Sequence, residues 1–375
     1  MAAAPVLSLA VVGLVSLAFI AWLTVDGLRA LLARRTAERR RRTLPMRITR
    51  RDEVTGELLC LSLASTAGRL PAFSAGQHVL LEAPAGKAGR LIRRAYSLAA
   101  WQARPGHYEL GIKREGKGAM TQWLWNNALA GTILNLSRPQ GEFVVEPATA
   151  PLVLIGGGIG ITPMRAMLHA TLPGGRPVTL FHAARHTEQL LYRAEFEALA
   201  RQHPQFRYIA VVSRPDANWT GRSGRLDGHA IVDAIPDAPA ADYYLCAGND
   251  MLAALRTDLQ ARGVAAERLH WEVFNPGTAS NQASLEIVCR MPDGEKRCQS
   301  RGEPTLLATL EANAIELPSE CRAGSCGVCQ LGLVAGDVEW LLTPEFAVPP
   351  GNILPCVCAP RTKLELHCLD GQKML

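Results

Sequence analysis

Apolar positions along the 375-residue chain change their period several times, and each change marks a different kind of element. Residues 2–25 carry no charged side chain, and 24 such positions suffice for one helix to cross a bilayer core of about 30 Å. From Met46 the apolar runs become short, at 57–62, 77–82, 108–113 and 132–136, broken by glycine and proline. That is the pattern of a small antiparallel β-barrel. At Pro151 the character changes. Leu152-Val153-Leu154-Ile155 is apolar throughout, glycines follow at once, and 163–170 reads as helix. Strand-like runs at 178–181, 207–212 and 243–245 alternate with helical patterns at 194–202 and 251–263, predicting an α/β parallel sheet wound on both faces. The expected division is a transmembrane helix over 1–28 and a basic linker over 29–45. A barrel follows over 46–147, an α/β domain over 148–274, a polar linker over 275–283 and a last domain over 284–375.

That last domain carries the most specific chemistry. Cys321-Arg322-Ala323-Gly324-Ser325-Cys326-Gly327-Val328-Cys329, with a distant Cys356, sets four thiols at C-x4-C-x2-C plus one. This is the ligand arrangement of a plant-type [2Fe–2S] centre. Zinc favours two separated short pairs instead, which this loop does not offer. Gly324 and Gly327 allow the backbone to wrap closely and aim N–H groups at sulfur. Cys358 competes with Cys356 for the fourth position; Cys356, directly after the apolar run Ile353-Leu354-Pro355, is the choice. Five further cysteines, Cys60, Cys246, Cys289, Cys298 and Cys368, are scattered, so the chain is no dense disulfide scaffold and suits a reducing compartment.

In the barrel, Arg94-Ala95-Tyr96-Ser97 offers a cation, a flat ring and a hydroxyl donor, with Arg94 and Tyr96 on one side of a strand. A flavin needs those three groups for its phosphate, its ring and its N5. Gly116-Lys117-Gly118-Ala119-Met120-Thr121 then feeds a helix N-terminus, a ready phosphate site, although Thr121 also suits a simple N-cap. Gly156-Gly157-Gly158-Ile159-Gly160-Ile161-Thr162-Pro163 follows the apolar strand. Its glycines admit a pyrophosphate close to the backbone, and Pro163 suits a first helical turn. Arg185 and the pair Ser213-Arg214 follow the next two strands, where a serine–arginine pair suits a ribose 2′-phosphate.

At this spacing and in this order the motifs resemble the ferredoxin–NADP reductase superfamily. Phe73-Ser74-Ala75-Gly76-Gln77 and Arg138-Pro139-Gln140-Gly141-Glu142-Phe143 look like two further landmarks. With the C-terminal cysteine loop, residues 46–375 resemble the phthalate-dioxygenase-reductase type. The resemblance implies a flavin barrel, a nicotinamide domain and a β-grasp (α+β) ferredoxin domain. It implies flavin contacts from Arg94, Tyr96, Ser97, Lys113, Gly118, Met120 and Thr121, and nicotinamide-nucleotide contacts from Gly156, Gly157, Gly158, Gly160, Thr162, Pro163, Arg185, Ser213 and Arg214. Cys246-Ala247-Gly248-Asn249-Asp250-Met251 occupies the family's Cys-Gly-Pro segment, departing from it at Ala247 and Gly248. Cys246, Gly248, Met251 and Phe274 are implied beside the nicotinamide and the flavin's reactive edge, and Ser97, Cys246 and Glu272 as catalytic residues.

The resemblance further implies hydride transfer from NADPH or NADH to FAD, then single electrons through [2Fe–2S] to a protein acceptor, an oxygenase. FMN presents the same phosphate to Arg94 and the 118–121 turn. A redox-sensing module and a small-molecule or ferric reductase are the competing functions.

The net charge of +6 is local rather than global. Residues 29–51 hold ten arginines against Glu38, a patch of +9, which leaves about −3 for the remainder. Nothing in this distribution suggests a nucleic-acid partner. Arginines directly after the 2–25 run predict a single-pass anchor in the inner (cytoplasmic) membrane, in contact with membrane lipid, with the catalytic domains in the cytoplasm. No basic residue precedes the run, as a signal peptide would require. An anchor favours a membrane di-iron desaturase or hydroxylase as acceptor; a Rieske oxygenase, a cytochrome P450 or another haem protein are the alternatives.

Overall fold

Strands whose alternate side chains are buried build the first domain. In the computed structural model, which describes residues 43–86, 89–114, 118–274, 284–344 and 346–369, the opening strands are β1 (Leu44–Thr55) and β2 (Leu58–Ser65). They are followed by β3 (His78–Ala83), β4 (Ile92–Ser97), β5 (Tyr108–Lys113) and β6 (Ile133–Leu136). These form one sheet in the order β4-β3-β6-β1-β2-β5. An antiparallel bridge between Leu98 and Leu110 joins its two ends and closes the barrel. Leu59, Leu61, Leu63, Tyr108 and Leu110 fill the interior at every second position. Helix α1 (Ala119–Asn127) buries Met120 and Leu124 against it.

The apolar run at 152–155 becomes β7 (Leu152–Gly157), the centre of a parallel sheet. With β8 (Val178–Ala184), β9 (Phe206–Val212), β10 (Arg222–Ser223), β11 (Asp242–Cys246) and β12 (Leu269–Glu272) the order is β10-β9-β8-β7-β11-β12. Leu152 and Leu154 pack with Met164 and Leu168 of α2 (Ile161–Thr171) and Phe196 of α3 (Arg193–Gln202). Val153 and Ile155 point the other way. They meet Ile231 of α4 (Gly228–Val232) and Leu252, Leu255 and Leu259 of α5 (Asn249–Ala261). A strand covered on both faces has no solvent side, which is why its sequence shows no alternation.

Barrel and parallel sheet share a core, since Leu58, Ala75 and Phe143 belong to the α2–α3 layer. Arg165 of α2 clamps the joint. It bonds Glu195, the Ala99 carbonyl and Glu109, and its guanidinium lies 4.4 Å from the Tyr192 ring centre. Residues 45–375 accordingly form a single compact unit.

The third domain has β13 (Glu286–Met291), β14 (Gly294–Gln299), β15 (Leu331–Ala335), β17 (Asn352–Ile353) and β19 (Leu364–His367) in the order β14-β13-β19-β15-β17. Only β13 and β19 pair in parallel. Helix α6 (Leu306–Ala312) covers this sheet, capped at Thr305, whose hydroxyl accepts from the Ala308 N–H. A separate ribbon pairs β16 (Val338–Trp340) with β18 (Cys358–Pro360).

The expectation of an inner-membrane protein meets a correction here. The 2–25 run lies outside the described residues, as do Gly116, Lys117 and the linker 275–283. Among the described residues no helix is long and apolar enough to cross a membrane. The longest of them, α5, has 13 residues, about 20 Å at 1.5 Å per residue, against a hydrocarbon core of about 30 Å.

Candidate functional site

The four thiols come together two by two, and among the described residues they do not gather as one group of three or more. Cys321, Cys329 and Cys356 are buried, and the thiols interact as two pairs, Cys321 with Cys326 and Cys329 with Cys356. Two pairs suit two irons that each take two thiolates from the protein. The hydrogen bond shared with Cys326 holds the Cys321 thiol well below its usual range, and the N–H groups of Ala323 and Ser325 lower it further. The Ala323 N–H reaches the Cys321 sulfur at 3.4 Å. The backbone achieves this by left-handed turns at Gly324 (φ +75°) and Gly327 (φ +71°). A Cβ at Gly327 would sit 2.3 Å from the Phe346 ring, so glycine is required there for space as well as for conformation. Cys358, two residues beyond Cys356, is fully buried on β18 opposite Trp340, and burial pushes its thiol up.

On β4, Ser97 is buried and its hydroxyl has no hydrogen-bond partner among the described residues. An unsatisfied buried hydroxyl is costly, and a flavin N5 beside it would satisfy it. Arg94 is half-buried and makes no ion pair among the described residues. Its Nη1 donates to the carbonyls of Arg93 at 2.7 Å and Glu320 at 3.4 Å. Burial first, and the charge of Arg322 second, push its guanidinium down to about 10. At α1 the N-cap is Gly118, with no side chain bonding the first turn. Thr121 is therefore not the cap; its hydroxyl donates back to the Gly118 carbonyl at 2.9 Å. A buried cation and an uncapped helix start fit a flavin phosphate. Tyr96 is half-buried on β4, Met120 is buried in α1, and Lys113 closes β5.

The glycine loop lies where the parallel sheet reverses its strand order, between β7 and β11, with Gly156 beside Cys246 in register. Open α/β sheets bind ligands at this point. A Cβ on Gly160 would strike the Cys246 carbonyl at 2.0 Å, and one on Gly157 would meet Ala247 at 2.7 Å and the Met251 sulfur at 3.1 Å. Gly158 adopts φ +56° and faces open space. Thr162 is buried and donates to the Ile159 carbonyl, with Pro163 beside it in the first turn of α2. Gly248 is the N-cap of α5. Cys246 is fully buried; desolvation, then the charge of Glu272, raises its thiol well above the ordinary value, so it stays neutral.

Glu272 ends β12 in register with Cys246, and Phe274 lies two residues on, exposed. A Glu272 carboxylate oxygen approaches His78 Nδ1 at 3.9 Å, and His78 stands directly opposite Ser97 across β3 and β4. Directly opposed residues share a face. Ser97, His78, Glu272 and Cys246 thus link the barrel to the parallel sheet. His78 carried no sequence signal: its position depends on strand pairing and on Gly141, where a Cβ would come within 2.8 Å of the imidazole.

At the far end of the same strand edge, Arg185, Ser213, Arg214, Gly224 and Arg225 line a cavity of about 340 Å³. Arg185, Ser213 and Arg214 were expected from the motif. Arg225 was missed because it arrives through the two-residue strand β10, which gives no pattern of its own.

A barrel, a parallel nucleotide sheet and a four-thiol loop define a class: oxidoreductases that link a flavin and a pyridine nucleotide to an iron–sulfur centre. Comparison with known proteins agrees domain by domain. The family model described as oxidoreductase FAD-binding domain matches residues 46–145, oxidoreductase NAD-binding domain matches 154–257, and 2Fe-2S iron-sulfur cluster binding domain matches 291–361. The chain is an oxidoreductase built from an FAD-binding, an NAD-binding and a [2Fe–2S] domain, and its cofactors are FAD, a [2Fe–2S] cluster and a pyridine nucleotide.

Among curated proteins it resembles the flavohemoprotein of Chromobacterium violaceum, 38% identical over 250 residues, covering 62% of this chain and 61% of the relative. The flavohemoprotein of Burkholderia sp. strain TH2 is 33% identical over 230 residues, covering 61% and 57%. The chain spans about three-fifths of the length of the curated relatives it matches. Among solved structures, Amycolatopsis cytochrome P450 reductase is 30% identical with a TM-score of 0.56, over 62% of this chain and 70% of that one. Phthalate dioxygenase reductase shares the fold over 87% of this chain and 98% of its own, at 21% identity and a TM-score of 0.62. With relatives of this kind, and no membrane-spanning helix among the described residues, the inner-membrane location and lipid contact expected from residues 2–25 are withdrawn.

Proposed function

We propose that this oxidoreductase takes hydride from NADPH and delivers single electrons, through its [2Fe–2S] centre, to a protein acceptor of the oxygenase type. The observation that carries the reading is the seating of the cluster loop on the flavin strand. Arg93 of β4 pairs with Glu320, the residue before Cys321, at 2.9 Å, and Arg90 pairs with Glu316 at 2.9 Å. Bound flavin accepts a hydride at N5 and gives up electrons singly, and the cluster carries one at a time.

The chain's own residues hold these groups. Cys321, Cys326, Cys329 and Cys356 are the cluster ligands. Arg94, Tyr96, Lys113, Gly118, Met120 and Thr121 bind the flavin, and Ser97 donates to its N5. Gly156, Gly157, Gly158, Gly160, Thr162 and Pro163 admit the dinucleotide's pyrophosphate, while Cys246, Gly248, Met251 and Phe274 border the nicotinamide. Glu272 and Cys246, with Ser97, are the catalytic set at the hydride-transfer edge. Preference for NADPH rests on the cavity with three arginines and no carboxylate in its lining; an NAD site presents an acidic residue to the ribose instead. A haem oxygenase is favoured as acceptor because a P450 reductase and the flavohemoproteins stand among the similar proteins.

Steady-state reduction of cytochrome c by NADPH tests the reading against a redox sensor. Sustained turnover supports it, and a single reduction without turnover contradicts it.

A further inference from the structure

We propose that Arg322, carried on the cluster loop, completes the phosphate side of the flavin site opposite Arg94, so that flavin binding and seating of the iron–sulfur domain are one coupled event. The proposal rests on the flavin reading above and adds to it a residue from another domain. Three contacts fix the loop where this requires it. Glu320 pairs with Arg93 through its carboxylate and accepts from Arg94 Nη1 through its carbonyl, and Glu316 pairs with Arg90. These hold the segment just before Cys321 against β4.

Arg322 follows two residues after Glu320 in a left-handed conformation, φ 55°, which a non-glycine residue adopts in only a few per cent of cases. Glu311 of α6 pairs with its Nη2, while its Nε is buried with no hydrogen-bond partner among the described residues. On the facing strand Arg94 makes no ion pair among the described residues, and the Arg322 charge bears on it. The nearby carboxylates are engaged: Glu320 and Glu82 with Arg93, Glu311 with Arg322. The Arg94 guanidinium thus rests at the Glu320 carbonyl, two residues before Arg322, whose one carboxylate partner is Glu311 and whose Nε is left buried without one. An anion offsets the mutual repulsion of two such cations, and the guanidinium fork matches phosphate oxygens in a bidentate fashion. FAD supplies the anion through its pyrophosphate. Because the two cations come from different domains, the anion joins the domains, and linkage makes the effect reciprocal.

The test uses the full chain with its cluster loaded and its flavin removed, titrated with FAD and separately with riboflavin, which lacks phosphate. Arg322→Gln should weaken FAD on the order of 10- to 100-fold, as loss of a charge-assisted contact does, and leave riboflavin affinity unchanged, with the visible circular dichroism of the cluster intact. Arg361→Gln, on an exposed pair with Asp337, should change neither. Unchanged FAD affinity in Arg322→Gln, or equal weakening of riboflavin, would overturn the proposal. Should that variant lose its cluster, amide hydrogen exchange on the wild type decides. FAD, and not riboflavin, should slow exchange across 316–324; protection confined to β4 would overturn the proposal while leaving the flavin site standing. A wild type that binds no flavin at all would overturn both.

Discussion

Replacing Arg225 by alanine tests the proposed 2′-phosphate site. Arg225 is exposed and lines the 340 Å³ cavity with Arg185, Ser213 and Arg214. The three arginines sit at the carboxyl ends of β8, β9 and β10. The loops are fixed by backbone bonds from Ser213 N–H to the Ala184 carbonyl, Arg214 N–H to the Arg185 carbonyl and Gly224 N–H to the Val212 carbonyl, at 3.0, 2.8 and 3.0 Å. A hydrogen bond to a charged group contributes about 1.5–3 kcal/mol, and the open, solvated cavity places Arg225 at the low end. About 1.5 kcal/mol corresponds to roughly tenfold in affinity. Because NADH has no 2′-phosphate, its binding should be untouched. The assay is rapid anaerobic mixing with each nucleotide, following flavin bleaching against concentration. The half-saturating NADPH concentration should rise about tenfold, with the limiting rate and the NADH curve unchanged. If both nucleotides weaken equally, the cavity is not a 2′-phosphate site and the reasoning fails.

Other consequences follow from the same geometry. Cys356→Ser should abolish the visible and paramagnetic signals of the cluster while Cys358→Ser retains them; the reverse result would reassign the fourth ligand. Ser97→Ala should slow flavin reduction on the order of 100-fold, the usual scale for a lost donor at a reacting atom, with NADPH affinity little changed. Equal loss in affinity and rate would make the residue a packing element. His182 is fully buried beside Tyr208, and burial lowers it from 6.5 to about 3. A depressed histidine contributes stability present above the unfolded value and lost as pH falls toward the folded one. Urea midpoints should therefore decline between about pH 6.5 and 3, by about 1.4 kcal/mol per pH unit from this group. His182→Gln should flatten that decline, and an unchanged slope would sink the attribution.

Much of this was legible in the chain because its causes are local. The 152–155 run announced a strand buried on both faces, and the C-x4-C-x2-C loop announced its cluster through spacing alone. Gly156, Gly157 and Gly160 could be read because each lost side chain answers a nearby backbone or side chain, as Gly160 does at the Cys246 carbonyl. What was hidden depends on distant pairing. His78 matters through its strand partner Ser97 and its neighbour Glu272, 194 positions away in sequence. Arg93 and Glu320 are 227 residues apart, so neither looks different from a surface charge until the domains pack. The apolar length of 2–25 spoke only to whether a helix is long enough, and the location inferred from it did not hold.

The proposed electron path runs from pyridine nucleotide through flavin to the cluster within one chain. Anaerobic mixing of the loaded protein with NADPH, followed at once by optical absorbance and by freeze-quenched paramagnetic resonance, tests it most directly. Flavin should bleach first, and the signal of a reduced [2Fe–2S] centre should follow in the same molecules. Bleached flavin beside a cluster that stays oxidised would contradict it.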